Sequence, residues 1–191
     1  MPMPFLAYYP ALYPQDSLNC TITLLEQDDS TRTFSTPHPA TYEPLEKRGS
    51  YDTASPLPLS TFHPTRRARL GDVTLARSGD KGPNLNFGIY VRDSLGWDWL
   101  RSFLSRDTMQ QLLGEDWRDE YFIERVEFPK ICAVHFVIYG ILGRGVSSSG
   151  RLDAFGKGFA DYVRDKWVEV PVVLLDGREG VDGGKDGEVG R

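Results

Sequence analysis

Arg77-Ser78-Gly79-Asp80-Lys81-Gly82-Pro83, followed closely by Asn84 and Asn86, packs charge, amide and glycine into one short run. Glycines let backbone N–H groups converge on an anion, and Lys81 adds a point charge. Those residue types suit a carboxylate or a phosphate. The spacing is not that of a triphosphate loop: G-x-x-x-x-G-K-[ST] is absent, and the run leads into a strand-like segment rather than a helix. Nor is it G-x-G-x-x-G. A plain turn accounts for the same residues if Asp80 and Asn84 cap backbone N–H groups and Lys81 is solvated. Both readings stand at this point.

A second glycine-rich turn, Leu142 to Gly150, holds Arg144 between Gly143 and Gly145, and Arg151, Asp153 and Lys157 follow it. If the sheet brings the two turns together, Arg77, Lys81, Arg144 and a helix start capped by Asp153 converge. Cations beside a helix N-terminus receive a carboxylate or phosphate. The plainer reading makes Arg151 and Asp153 a surface ion pair worth less than about 1 kcal/mol. His135 lies in an apolar run, where a buried, hydrogen-bonded histidine competes with a general base. His38 and His63 have no ligand-like spacing, so no metal site is expected. There is no G-x-S-x-G element and no Cys–His constellation, and Ser147-Ser148-Ser149 reads as a turn.

The elements that must position these residues begin at Leu70. Asp72 to Arg77 and Asn86 to Arg92 read as two strands joined by the polar run as an enlarged hairpin turn. Asp93-Ser94 offers an N-cap to a helix carrying Trp99, Leu100, Phe103 and Leu104, and Gly114 stops a second helical stretch that starts at Asp107. Tyr121 to Phe128 is a strand. Ile131 to Leu142 is apolar on both parities, as in a central strand, with Cys132 a small core residue. Asp153 opens a helix whose buried face is Phe155, Phe159, Tyr162 and Val163. Val168 to Leu175 closes as a strand that Pro171 pushes to an edge. The order β-β-α-β-β-α-β predicts an α+β, ferredoxin-like sandwich, a mostly antiparallel sheet with two helices on one face.

Residues 1–65 have another texture. Only Cys20 to Leu25 alternates like a strand, and Asp28 to Pro64 is rich in Pro, Ser and Thr, an extended arm. The expected organisation is an arm over 1–65, a folded domain over 66–175 and a disordered Gly/acid tail over 176–191. A net charge of −5 without a basic stripe argues against nucleic acid. No apolar stretch approaches the roughly 18 residues that span a bilayer, and the N-terminus makes a poor signal peptide. With two cysteines there is no disulfide framework. A cytoplasmic protein that binds neither membrane nor nucleic acid is expected.

The runs LARSGDKGPNLNFGIYVR, AVHFVIYGILGRGVSSSGRLD and DAFGKGFADYVRDKWVEVP resemble the C-terminal ferredoxin-fold domain of the acyclic-terpene-utilisation (AtuA-like) family. The A-R-S-G-D-K-G signature, the G-x-G-V turn and the L-D-x-x-G-K helix start occur in the family's order. The likeness covers roughly Tyr51 to Val173, and its lead-in resembles the linker of fungal members. It implies an origin beside a much larger domain, of which residues 1–65 would be a remnant. It also implies catabolism of isoprenoid or branched acids as coenzyme A thioesters, or fungal secondary metabolism.

Residues and resemblance together support an accessory or ligand-binding domain. It would act with a large-domain partner or as a homo-oligomer, with no cofactor beyond a coenzyme A thioester as substrate. The site would comprise Arg77, Ser78, Gly79, Asp80, Lys81, Gly82, Asn84, Asn86, Arg144, Arg151 and Asp153. The alternatives are a small lyase, hydratase or isomerase of acyl thioesters, with Asp80 or His135 as base and Lys81 and Arg144 as clamps, and an inactive truncated product.

Overall fold

The structure, a computed structural model, describes residues 11, 13–39, 41, 43, 44, 48–146, 148–150 and 153–179. The chain divides into two compact units, one spanning Tyr9–Arg48 and the other running from Gly49 onward.

The smaller unit is an antiparallel hairpin of β1 (Cys20–Leu25) and β2 (Thr31–Thr36), Leu25 facing Thr31 and Cys20 facing Thr36. At its turn Asp28 Oδ1 accepts from both the hydroxyl and the N–H of Ser30, at 2.6 and 3.1 Å. Those two bonds, the hydroxyl's first, hold the Asp28 carboxyl below its ordinary pKa. β2 falls within the stretch read as an arm, because its Ser/Thr/Arg composition carries no apolar alternation.

In the larger unit the order is β3 (Thr65–Arg69), β4 (Leu75–Lys81), β5 (Asn84–Tyr90), α1 (Ser94–Phe103), α2 (Arg106–Leu113), β6 (Phe122–Phe128), β7 (Ala133–Tyr139), α3 (Phe159–Arg164), β8 (Trp167–Pro171) and α4 (Val172–Glu179). Four strands form one antiparallel sheet in the order β4-β5-β7-β6, which places β7 inside and β4 at an edge. The fold is α+β, with one correction to the expected β-β-α-β-β-α-β count. β3 pairs with β8 in a separate two-stranded sheet, so the closing strand does not join the main one. The stretch read as one strand, Val168 to Leu175, is a strand to Pro171 and then α4; the tail expected to be disordered from 176 continues this helix to Glu179, and 180–191 lie outside the described residues.

Parity assigns the faces. Leu85, Phe87 and Ile89 of β5, Val134, Phe136 and Ile138 of β7, and Ile123 of β6 all enter the core. α1 adds Trp97, Trp99 and Leu100; α2 adds Met109 and Leu113; α3 adds Phe159 and Val163; α4 adds Leu175. Among the described residues, four helices, rather than two, therefore contribute to one core. Caps fix their starts as expected of Asp and Ser: Asp93 Oδ1 accepts Gly96 N–H at 2.7 Å and Ser105 Oγ accepts Thr108 N–H at 3.0 Å. Two details differ from the sequence reading. Phe155 is exposed in the turn before α3 rather than on its buried face, and Cys132 is half-buried with φ +50, just ahead of β7.

One buried cation ties the segment just after Gly49 to the larger unit. Arg125, on the core-facing parity of β6, is fully buried. Its Nε donates to Leu104 O at 2.8 Å, Nη1 to Tyr51 O at 3.0 Å and Glu127 Oε1 at 2.9 Å, and Nη2 to Arg101 O at 3.0 Å. Thr53 Oγ1 donates to the same Glu127 oxygen, and Asp52 accepts from Arg106 N–H and Nε at 2.9 and 3.0 Å. Ser50 to Thr53 are thereby tied to the α1–α2 junction and to β6.

Candidate functional site

The polar run is not a loop. β4 continues to Lys81, β5 begins at Asn84, and the turn is only Gly82 and Pro83, with Gly82 at φ +64. An N–H nest within an enlarged turn is therefore absent, and the signature must be read by strand parity. Side chains opposite each other in an antiparallel pair share a face. Ser78 faces Phe87 and Asp80 faces Leu85, so both stand on the core side. Arg77, Gly79 and Lys81 face Gly88, Asn86 and Asn84 on the other side. His135 lies opposite Gly88 from β7, so it shares that second face with Arg77 and Lys81.

Core-side residues of the signature hold the fold. Ser78 Oγ accepts Ala160 N–H at 2.9 Å and donates to Lys157 O at 3.4 Å. Asp153 accepts Lys157 N–H at 2.9 Å through Oδ1 and Gly158 N–H at 3.0 Å through Oδ2. The N–H groups leading into α3 are thus bonded internally, which removes the helix start from the expected anion receptor. Gly156 has φ +60, and a Cβ there would stand 2.1 Å from Leu85 Cδ1, so no other residue fits the L-D-x-x-G-K turn as built.

Contact between the two glycine turns is real. Leu142 N–H donates to Pro83 O at 3.0 Å, and Asn84 Oδ1 accepts Gly140 N–H at 3.1 Å. A Cβ on Gly145 would stand 3.2 Å from the Gly82 carbonyl. Exposed Arg144 therefore rides on the turn that carries Gly82 and follows Lys81. Arg151 lies outside the described residues.

On this second face of β4 and β5, two positions carry no side chain. Gly79 and Gly88 supply no side chain, and a Cβ on Gly88 would meet only His135 Cδ2 at 3.8 Å. A Cβ on Gly79 would stand 3.1 Å from Lys157 Nζ, so the Lys157 chain passes round the β4 edge and ends over Gly79. Arg77 and Lys81 flank Gly79 two residues to each side, and Asn86 stands opposite it. Lys81 Nζ donates to Asp80 O at 3.0 Å. Three cations, Asn84, Asn86 and His135 thus border two glycines. Farther across, Tyr139 hydroxyl donates to Glu124 Oε2 at 2.8 Å, and His135 meets Phe128 edge-to-face at 6.3 Å.

A model of the AtuA ferredoxin-like domain matches residues 68–169, more than half of the chain. The chain belongs to that family. No curated protein and no solved structure matches it. The AtuA ferredoxin-like match covers the main sheet, α1 to α3 and most of β8, and both faces of the signature strand β4 fall within it. Among the described residues no helix is long and apolar enough to cross a membrane. The cation missed in the sequence is Lys157, read there only as part of a helix start. The signal that could have found it is its place between Gly156 and Gly158, which lets the chain turn back against β4.

Proposed function

We propose that this AtuA ferredoxin-like domain is an accessory, ligand-binding module. It would hold the carboxylate or phosphate of a small acyl thioester on the open face of its sheet and do no chemistry on it. The observation that carries this reading is the gathering of Arg77, Lys81 and Lys157 Nζ around the side-chain-free positions Gly79 and Gly88. Cations at an exposed edge attract an anion at long range, and the paired asparagines add directional donors. Such a module fits the handling of isoprenoid or branched acids as coenzyme A thioesters, or a related step of fungal secondary metabolism. It would work beside a partner resembling the large domain that the family places before it.

The competing lyase, hydratase or isomerase reading takes Asp80 or His135 as its base. Asp80 stands on the core side, and its row is three residues from that of His135, about 10 Å along the strand. Of these two alternative bases, His135 shares a face with Arg77 and Lys81.

Calorimetric titration with isovaleryl-coenzyme A, followed by mass spectrometry of the same mixture, tests the proposal. Saturable binding that weakens between 50 and 300 mM salt, roughly as screening of exposed charges requires, with the thioester intact, is the expected result. Hydrolysed or isomerised thioester, or no saturation, would overturn it.

A further inference from the structure

On the core side of the sheet, away from the cations, a cavity of about 530 Å³ opens between α2, α3 and the turn after β7. Its size lies within the roughly 300–1,000 Å³ of small-molecule sites. Leu85, Leu113, Leu142 and Phe159 line its floor, and Tyr121 and Tyr162 its walls. Among the described residues, Glu115, Asp116 and Asp153 line it together with the cation Arg118. Tyr162 hydroxyl donates to Asp116 Oδ2 at 2.7 Å, which fixes that carboxylate at the mouth and leaves Oδ1 as an acceptor. Asp153 already accepts two backbone N–H groups, so Glu115 and Asp116 are the carboxylates with capacity to spare.

We infer that this cavity is a second binding site, for an aliphatic ammonium: an apolar chain on the floor and a cationic head between Glu115 and Asp116. The charge at the rim is opposite to that of the open face, so the domain discriminates two ligand types on its two sides. Among the described residues an anionic head would meet three carboxylates and one guanidinium, whereas an ammonium gains charge-assisted hydrogen bonds from Glu115 and Asp116. The inference is independent of the anion site, since no residue of the open face lines the cavity.

A matched series of eight-carbon probes tests it on the full chain: octylammonium, 1-octanol and octanoate, followed by calorimetry and by the fluorescence of Trp117, whose ring meets Tyr121 at 5.8 Å. Octylammonium is expected to bind most tightly, 1-octanol more weakly and octanoate not at all. In the double variant Glu115→Gln, Asp116→Asn, the preference for octylammonium over 1-octanol should fall by about tenfold. Gly158 lines the cavity, has φ −78, and would place a Cβ in ordinary contact, 3.5 Å from Asp153 Oδ2. Gly158→Leu is therefore expected to fold and to abolish binding of octylammonium and 1-octanol alike. Octanoate binding as tightly as octylammonium, absence of octylammonium binding, or unchanged binding in a folded Gly158→Leu would each overturn the inference.

Discussion

Ser78 Oγ, on edge strand β4, accepts the N–H of Ala160 at 2.9 Å and so caps the start of α3 from outside the helix. Its sequence neighbours Arg77 and Gly79 point to the opposite side of the sheet. One alternating stretch thus divides its labour: even positions lock the helix layer to the sheet, and odd positions present cations and a gap. The signature is conspicuous as a run because both tasks are written in polar residues.

Arg125→Ala should be the most damaging single change in the domain. It removes the guanidinium that bonds Glu127 and three backbone carbonyls in a buried setting, and losing one partner of a buried ion pair costs about 3–5 kcal/mol. Urea denaturation would show the loss. A shift below about 1 kcal/mol would mean that Tyr51 to Thr53 contribute little to the fold.

Limited proteolysis reads the same tie from the other side. Cleavage between the β1–β2 hairpin and Gly49 should leave a fragment that retains Ser50 to Thr53, whose bonds run to Arg101, Arg106, Arg125 and Glu127. A resistant core starting near Leu70 would contradict it.

How far the sequence discloses these arrangements depends on what kind of signal each element carries. α1 and α2 are legible in Trp99, Leu100, Met109 and Leu113, with Asp93 as the cap of the first, and β7 in its apolar run. The fold class follows from their order. β4 is not legible as a strand between Arg77 and Lys81, because an edge strand with polar side chains on both parities has no hydrophobic alternation. The attachment of Ser50 to Thr53 is equally silent, since it consists of carbonyls and hydroxyls meeting one arginine. That arginine does leave a trace: Ile123, Arg125 and Glu127 share a parity, which marks a charge turned toward the core. Asp80 and His135 both look like bases in the sequence, and only the pairing register separates them by face.

Gly156→Ala should destabilise the domain by roughly 1–3 kcal/mol. The methyl would meet Leu85 Cδ1 and require a positive φ of a non-glycine residue. Thermal melts of Gly156→Ala beside Gly150→Ala, where a Cβ meets nothing within 4 Å, isolate the effect. Equal melts would show that the turn relaxes freely.

Alkaline pH should weaken the fold through Tyr162. Burial first, then the hydrogen bond and the charge of Asp116, raise its phenol well above the ordinary value of 10.0. The stability from this group is fully present below pH 10 and declines above it, because the unfolded chain loses the proton while the folded one retains it. Comparing wild type with Tyr162→Phe by urea denaturation from pH 8 to 11 isolates this contribution. The gap between the two should be constant up to about pH 10 and shift against wild type beyond it; parallel curves throughout would contradict the assignment.

The division of β4 by parity is tested most directly by titrating isovaleryl-coenzyme A into four variants and measuring stability for each. Arg77→Ala and Lys81→Ala should keep stability within about 0.5 kcal/mol of wild type and weaken binding about tenfold each. Ser78→Ala should lose about 1 kcal/mol, as a missing helix cap does, and Asp80→Asn should leave affinity unchanged, as should Ser78→Ala. If Arg77→Ala and Lys81→Ala bind like wild type, or if Asp80→Asn alone abolishes binding, the anion site does not lie on the open face.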